Sequence, residues 1–245
     1  MTKIIILAAG KGSRMNQSLP KVLTELSGKA IIEYLLKNVT NSGIDDKPII
    51  VVSDDNIKQI QEQLKDYNLE YAIQDKQLGT GHAVKFGLKS IKGDVEKVIV
   101  LYGDHPFIKK ESLFKLNDIK TNSVTLMPIR VPDYNSWRYN TYHWGRIIRN
   151  EKGKILKITE YKDASDKEKE IKEINPGIMA FNYQWLQKNI DKLNNNNNKS
   201  EYYLTDLTSI AVDNDYEVNS VNMNPKESIG INTSQELELA KKLIT

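Results

Sequence analysis

No cysteine occurs among the 245 residues, which excludes disulfides, thiolate nucleophiles and cysteine-ligated metal, and leaves nothing that points to an oxidising compartment. Long apolar runs are missing too. The run Ile4-Ile5-Ile6-Leu7-Ala8-Ala9 is too short for a signal-peptide core with its cleavage site, and no stretch approaches the ~20 residues of a membrane helix. A charge excess of either sign is also absent: 35 basic residues face 32 acidic ones, a net charge of +3. With no Lys/Arg block, neither nucleic acid nor a membrane is an expected partner. The three histidines, His82, His105 and His143, have no metal-ligand spacing and read as surface or supporting side chains. A soluble, cytoplasmic protein is the expectation, and its oligomeric state is open.

What is present is alternation. The apolar run at 3–8 reads as a buried strand that enters a glycine-bearing loop at 9–20. Ile31, Ile32, Leu35, Leu36 and Val39 then recur at helical spacing. Strands at 48–53, 69–73 and 95–102 alternate with helical stripes marked by Ile57, Ile60 and Leu64 and by Ala83, Val84, Gly87, Leu88 and Ile91. Such alternation builds right-handed βαβ units, so the expected class is α/β, with a Rossmann-like, mixed but mostly parallel sheet flanked by helices. Past residue 123 the pattern loosens. Stretches at 124–131, 145–149, 155–161 and 173–181 read as strands, and 132–144 as a long polar and aromatic loop or lid. The Asn run at 194–198 reads as a flexible loop, 203–212 as helical, and Thr233 with Glu236 as the capping box of a last helix.

In parallel sheets ligands bind beyond the carboxyl ends of the strands, which directs attention to the loops after Ala8, Ile73 and Tyr102. The first reads Leu7-Ala8-Ala9-Gly10-Lys11-Gly12-Ser13-Arg14-Met15, followed by Pro20-Lys21-Val22-Leu23. Glycines let backbone N–H groups approach phosphate, Arg14 can fork onto phosphate oxygens, and Lys21 adds a point charge. A dinucleotide fingerprint would need a third glycine where Met15 stands, and the Walker A spacing is absent. The second loop runs Gln74-Asp75-Lys76-Gln77-Leu78-Gly79-Thr80-Gly81-His82. A glutamine amide pairs one donor with one acceptor and so matches a pyrimidine edge, while the glycines open a helix N-terminus that attracts anions. The third is Tyr102-Gly103-Asp104, a strand-end carboxylate suited to Mg²⁺ beside phosphates. Separately, Thr80 reads as a helix cap, Asp104 as a turn residue and Asn232 as a cap.

The first loop, at 7–15 with 20–23, resembles the signature of sugar nucleotidyltransferases, and its spacing is similar to that in the uridyltransferase half of the bifunctional GlmU enzymes. Further motifs extend the resemblance over nearly the whole chain: Gly145-Arg146-Ile147-Ile148-Arg149, Glu160-Tyr161-Lys162-Asp163-Ala164, Glu173-Ile174-Asn175-Pro176-Gly177-Ile178, Glu201-Tyr202-Tyr203-Leu204-Thr205-Asp206 and Gly230-Ile231-Asn232. The resemblance implies the nucleotide-diphospho-sugar transferase fold in a single domain over 1–245, with a nucleotide lobe at about 1–122, a sugar lobe at about 123–230 and a C-terminal helix at about 233–245. It implies transfer of uridylyl from UTP to N-acetylglucosamine-1-phosphate, with Arg14 and Lys21 as catalytic residues. Leu7, Ala8, Ala9, Gly10, Tyr102 and Gly103 would contact substrate, Gln74, Gly79 and Thr80 would read uracil, Gly145, Glu160 and Asn175 would hold the sugar, and Asp104 with Asn232 would hold Mg²⁺.

Four departures from the family pattern stand out: Ser13 where Thr is usual, His105 in place of a small or apolar residue, Pro176 in place of Thr, and a longer, more aromatic 133–144. No hexapeptide repeat occurs, so no acetyltransferase β-helix is expected, and the sugar phosphate would arrive already acetylated. The alternatives are a related enzyme for glucose-1-phosphate or dTTP, a non-catalytic sugar-nucleotide sensor, and an NAD-linked protein, which Met15 argues against.

Overall fold

The structure, a computed structural model, describes residues 1–10 and 19–244. Strand β1 (Thr2–Leu7) pairs in parallel with β4 (Ile49–Ser53) on one side and β6 (Lys97–Tyr102) on the other. Its side chains alternate between two apolar layers, as period two dictates. Ile4 and Ile6 join Leu35, Leu36 and Val39 of α1 (Ile31–Ser42), while Ile5 and Leu7 join Ala83, Val84 and Leu88 of α3 (Thr80–Ser90). Burial on both faces is why the strand reads as one unbroken apolar run. A small hairpin, β2 (Glu25–Leu26) with β3 (Lys29–Ala30), leads into α1, which stops at Gly43 in the left-handed conformation, φ 62°. Helix α2 (Ile57–Gln63) then leads to β5 (Glu70–Gln74), parallel to β4.

Beyond β6 the chain departs from the expected pattern. Helix α4 (Lys110–Asp118) carries a narrow buried stripe of Ser112, Leu113 and Leu116, too thin to register as periodicity. The run expected as one strand at 124–131 is two: β7 (Val124–Leu126) lies in the main sheet and β8 (Ile129–Arg130) in a second one. The stretch at 173–181 splits likewise, into β11 (Glu173–Asn175) of the second sheet and β12 (Met179–Asn182) of the main one. Pro128 and the Pro176-Gly177 pair mark the two crossings; Gly177 has φ 90°, and a Cβ there would lie 2.4 Å from the Tyr102 ring. The second sheet is completed by β9 (Gly145–Arg149) and β10 (Ile155–Thr159), in order β10-β9-β11-β8 and antiparallel throughout. The main sheet runs β13-β7-β12-β6-β1-β4-β5, where β13 is Asn219–Ser220 and β12 alone runs antiparallel to its neighbours.

The segment expected as a loop or lid contains a 3-10 helix, Ser136–His143. Arg146 clasps it to the second sheet. Fully buried, its guanidinium donates to the carbonyl oxygens of Trp144, Tyr142 and Lys169 and lies 5.1, 5.4 and 5.8 Å from the rings of Tyr134, Tyr142 and Tyr161. The Asn run is not a free loop: Asn197 Nδ2 donates to Glu201 O at 2.6 Å and Asn198 Nδ2 to Asp163 Oδ1 at 2.8 Å. Helices α5 (Asp166–Lys169), α6 (Tyr183–Asn189), α7 (Leu207–Asp213) and α8 (Ser234–Ile244) complete the elements used below. Among the described residues, no helix is long and apolar enough to cross a membrane.

Candidate active site

The carboxyl ends of β1, β5 and β6 open into a cleft of about 220 Å³, walled by Leu7, Ala8, Ala9, Gly10, Lys21, Gln74, Gly79, Thr80, Tyr102 and Asp104, together with Val22, Gln77, Ala83 and Glu201. Parallel strands all end on the same side, so loops far apart in sequence converge there. Gly103 ties two of them, its N–H donating to Leu7 O at 3.0 Å; a Cβ on it would meet Val22 at 3.1 Å. Arg14 lies outside the described residues, as do Gly12 and Ser13. A wider surface groove of about 390 Å³ runs past Lys29, Tyr34, Lys37 and Tyr67, away from the strand ends, and gathers none of the expected site residues.

At the floor of the cleft three parts of the chain meet. Lys21, on a single 3-10 turn after Pro20, donates from Nζ to Asp104 Oδ2 and, at 2.8 Å, to Asn232 Oδ1. Asn232 is held from behind: its N–H donates to Glu236 Oε2 at 2.7 Å, and Thr233 completes the cap of α8 by accepting from Glu236 N at 3.2 Å. The backbone of Ile231 donates to Asp104 O at 2.9 Å, locking the two metal-ligand candidates side by side. Burial works to raise the Asp104 carboxyl, but Lys21 and His105 outweigh it and hold the group well below the usual carboxylate range. His105, read from sequence as a surface or supporting histidine and as a departure from the family pattern, is buried, with Nδ1 3.2 Å from Asp104 Oδ1 and its ring against Gly230, Tyr102 and Trp144. Its contact with Asp104 is off the line of a good hydrogen bond, so Asp104 Oδ1 keeps an uncommitted lone pair in a buried place.

The donor set fits a small divalent cation. A lysine ammonium already bridges a carboxylate oxygen and an amide oxygen, both hard donors, and the remaining carboxylate oxygen is free. No cluster of three or more His, Cys, Asp or Glu exists among the described residues, so any cation here would complete its shell with substrate oxygens and water.

Gly145, Glu160 and Asn175 do not line the cleft but gather beyond Tyr102. Strand pairing sets Asn175 opposite Gly145. A Cβ on Gly145 would approach Glu160 Oε1 to 3.4 Å, so the missing side chain keeps that carboxylate clear. Burial raises the Glu160 carboxyl, and Thr205 partly offsets this by donating to Oε1 at 2.9 Å. Asn175 Oδ1 accepts from Gly177 N at 3.1 Å. Pro176 therefore fits the turn, with its missing N–H unneeded, and leaves Asn175 Nδ2 as the group free to donate. Behind both clusters runs the stretch 201–205. Tyr202 exchanges bonds with Leu78 O and Gly81 N, at 2.8 Å each, Leu204 N donates to Thr80 Oγ1 at 3.0 Å, and Thr205 reaches Glu160.

Reading the residues alone missed Gln77, whose Nε2 donates to Ala9 O at 3.2 Å, as well as Glu201, Thr205, His82 and His105. Thr205 lay inside a quoted motif, and that was its only signal.

A mostly parallel sheet with strand-end loops around a cleft, closed by one antiparallel strand and a second antiparallel sheet, is the nucleotidyltransferase type of α/β fold. Two solved structures share it: 4-diphosphocytidyl-2C-methyl-D-erythritolsynthase from Anaerococcus prevotii (TM-score 0.70, 20% identity, covering 100% of this chain and 98% of that one), and a Bacillus anthracis protein provisionally assigned as a glucose-1-phosphate thymidylyltransferase (0.76, 19%, covering 99% and 95%). The family model for the MobA-like NTP transferase domain matches residues 4–134. The chain belongs to that family and is related over its length to bifunctional protein GlmU: it is 39% identical to that of Clostridioides difficile (99% of this chain, 51% of the relative), 34% to that of Clostridium novyi (98% and 51%) and 38% to that of Desulfotalea psychrophila (97% and 68%). It spans about half the length of the first two.

Proposed function

We propose that the chain transfers uridylyl from UTP to N-acetylglucosamine-1-phosphate, giving UDP-N-acetylglucosamine and pyrophosphate. The observation that carries the reading is the cationic bridge of Lys21 to Asp104 and Asn232, set between a cleft bearing the Gln74 amide and the Gly145–Glu160–Asn175 cluster. Kinship with bifunctional protein GlmU supports it. On this reading residues 1–122 hold the nucleotide and 123–230 the sugar, and the protein is cytoplasmic and works on small molecules.

A phosphate oxygen of the sugar phosphate attacks the α-phosphorus of UTP in line, and the bond to the β-phosphate oxygen breaks as pyrophosphate leaves. Two anions must meet, so the barrier is mostly charge and orientation. On this reading Lys21 neutralises charge growing on the α-phosphate, and by resemblance Arg14 does the same for the leaving group. Glu160 and Asn175 orient the sugar: the carboxylate accepts from hydroxyls and the free Asn175 amide N–H donates. Mg²⁺ held by Asp104 and Asn232 would supply charge neutralisation to the triphosphate. No residue needs to take a proton, because the sugar phosphate is already ionised.

Pyrophosphate release across UTP, CTP and dTTP, each with N-acetylglucosamine-1-phosphate and glucose-1-phosphate, tests the reading. The highest kcat/KM is expected for UTP with the N-acetyl sugar. A higher value for glucose-1-phosphate would overturn the sugar assignment, and no release with any pair would overturn the enzyme.

A further inference from the structure

Gln74 ends β5 on the wall of the cleft with 4% of its surface exposed. Its side-chain nitrogen faces two acceptors, the carbonyl oxygen of Gly79 at 3.3 Å and Nδ1 of His82 at 3.0 Å. A carbonyl oxygen only accepts, so the amide must turn its NH2 group that way. The second proton then meets His82 Nδ1, which accepts only when the ring is neutral and carries its proton on Nε2. Both donors are spent, and Oε1 has no partner among the described residues. The Gly79 carbonyl is itself fixed, because Gly79 sits at φ 114° with its Cα pressed against Tyr202, where a Cβ would come within 2.6 Å of the backbone oxygen. His82 is on the first turn of α3, its ring 5.0 Å from that of Phe86 and stacked at 6.2 Å on Tyr202.

We propose that His82 is a positioning residue that sets base specificity. By accepting from Gln74 it holds the amide with its oxygen toward the ligand, so the cleft takes a pyrimidine triphosphate whose ring nitrogen carries a proton, as uracil does. Cytosine presents a lone pair at that nitrogen and would face the Gln74 oxygen, acceptor against acceptor. The inference rests on the reading above that Gln74 faces the base. The charged and titratable groups around the ring are Asp75, whose Oδ1 is 3.9 Å from Nε2, Tyr202, and the Lys85–Asp191 pair, joined at 2.6 Å in the groove behind.

The test compares the wild type with His82→Phe and His82→Asn, by kcat/KM for UTP and CTP and by calorimetric binding of each. Phenylalanine keeps a ring against Phe86 and Tyr202 but offers no acceptor, whereas asparagine can put an oxygen where Nδ1 stands. The UTP:CTP ratio is expected to fall about tenfold in His82→Phe, through nucleotide KM with sugar-phosphate KM unchanged, and to recover in His82→Asn. A selective wild type with an equally selective His82→Phe would overturn the inference and leave the base reading intact. Should His82→Phe fail to fold, His82→Leu, which also offers no acceptor, takes its place, and an equally selective variant again overturns the inference. A wild type indifferent between UTP and CTP would instead overturn the base reading.

Discussion

On the proposed reading, the nucleotide side and the sugar side of the site are built by different means. On the nucleotide side the loops hang from the parallel strands β6, β1 and β5, with β4 between the last two, and the backbone does the positioning: Gly103 N–H to Leu7 O, and Ala8 N to Val51 O at 2.8 Å. The sugar side rests on a short antiparallel sheet, and there side chains do the positioning: Arg146 clasps the 136–143 helix and Thr205 restrains Glu160. Changes on the first side should therefore act mainly on chemistry and nucleotide binding, while changes on the second should act on stability and sugar binding.

The largest expected effect is at the join between them. Lys21→Met removes the cation shared by Asp104 and Asn232, and kcat is expected to drop on the order of a hundredfold, or about 3 kcal/mol, with little change in either KM. Steady-state kinetics check this, and an unchanged kcat with a raised UTP KM would make Lys21 a binding group only. Next, Arg146→Met leaves three carbonyl oxygens without their donor in a buried place, at an expected cost of about 2–3 kcal/mol read by urea unfolding. Equal destabilisation from an exposed Arg130→Met would dissolve the contrast, since the Arg130 side chain is 64% exposed.

Smaller and more selective, Glu160→Gln is expected to raise sugar-phosphate KM about tenfold while UTP KM stays put. A matching rise for UTP would mean the two sides are not separable. The smallest effect is electrostatic. Asp206, at the start of α7, is pushed up to about 6 by burial first, then by Glu160 and Asp163. A carboxyl raised on folding binds its proton more tightly in the native state, so its contribution is full below about pH 4 and lost as pH rises to about 6. Asp206→Asn should therefore gain stability over the wild type across that window and hold the gain at neutral pH, on the order of 1 kcal/mol after allowing for partial solvent screening. Thermal melts across pH would show it, and a gap that narrows as pH rises would refute it.

The same division explains what could be read from sequence. Through Tyr102 the central strands β1, β4 and β6 are almost wholly buried and each main helix shows a broad stripe, so period alone places β1, β4, β5, β6, α1 and α3 within a residue or two. After Ser123 single apolar runs serve two sheets. Val124 and Ile129 belong to different layers, as do Ile174 and Met179, and periodicity has no mark for the crossing except a proline or glycine. Loop motifs pointed to the strand-end cleft because glycine and lysine there have few other uses. Contacts such as Thr205 with Glu160, 45 residues apart, leave no local trace. His82 was set aside because metal spacing was the only pattern sought, and His105 stood out only as a departure from the family pattern; one bonds the Gln74 amide and the other borders Asp104.

The Lys21 bridge joins residues 83 and 211 positions away along the chain. A chain made from its N-terminus therefore exposes β1, β4, β5 and β6, with their pocket, long before Asn232 and the helix that caps it have been synthesised. During that interval the nascent protein holds a charged lysine and aspartate without their third partner. On the proposed reading, the full Lys21–Asp104–Asn232 bridge can therefore form only late in synthesis, once the segment at 230–236 has been made.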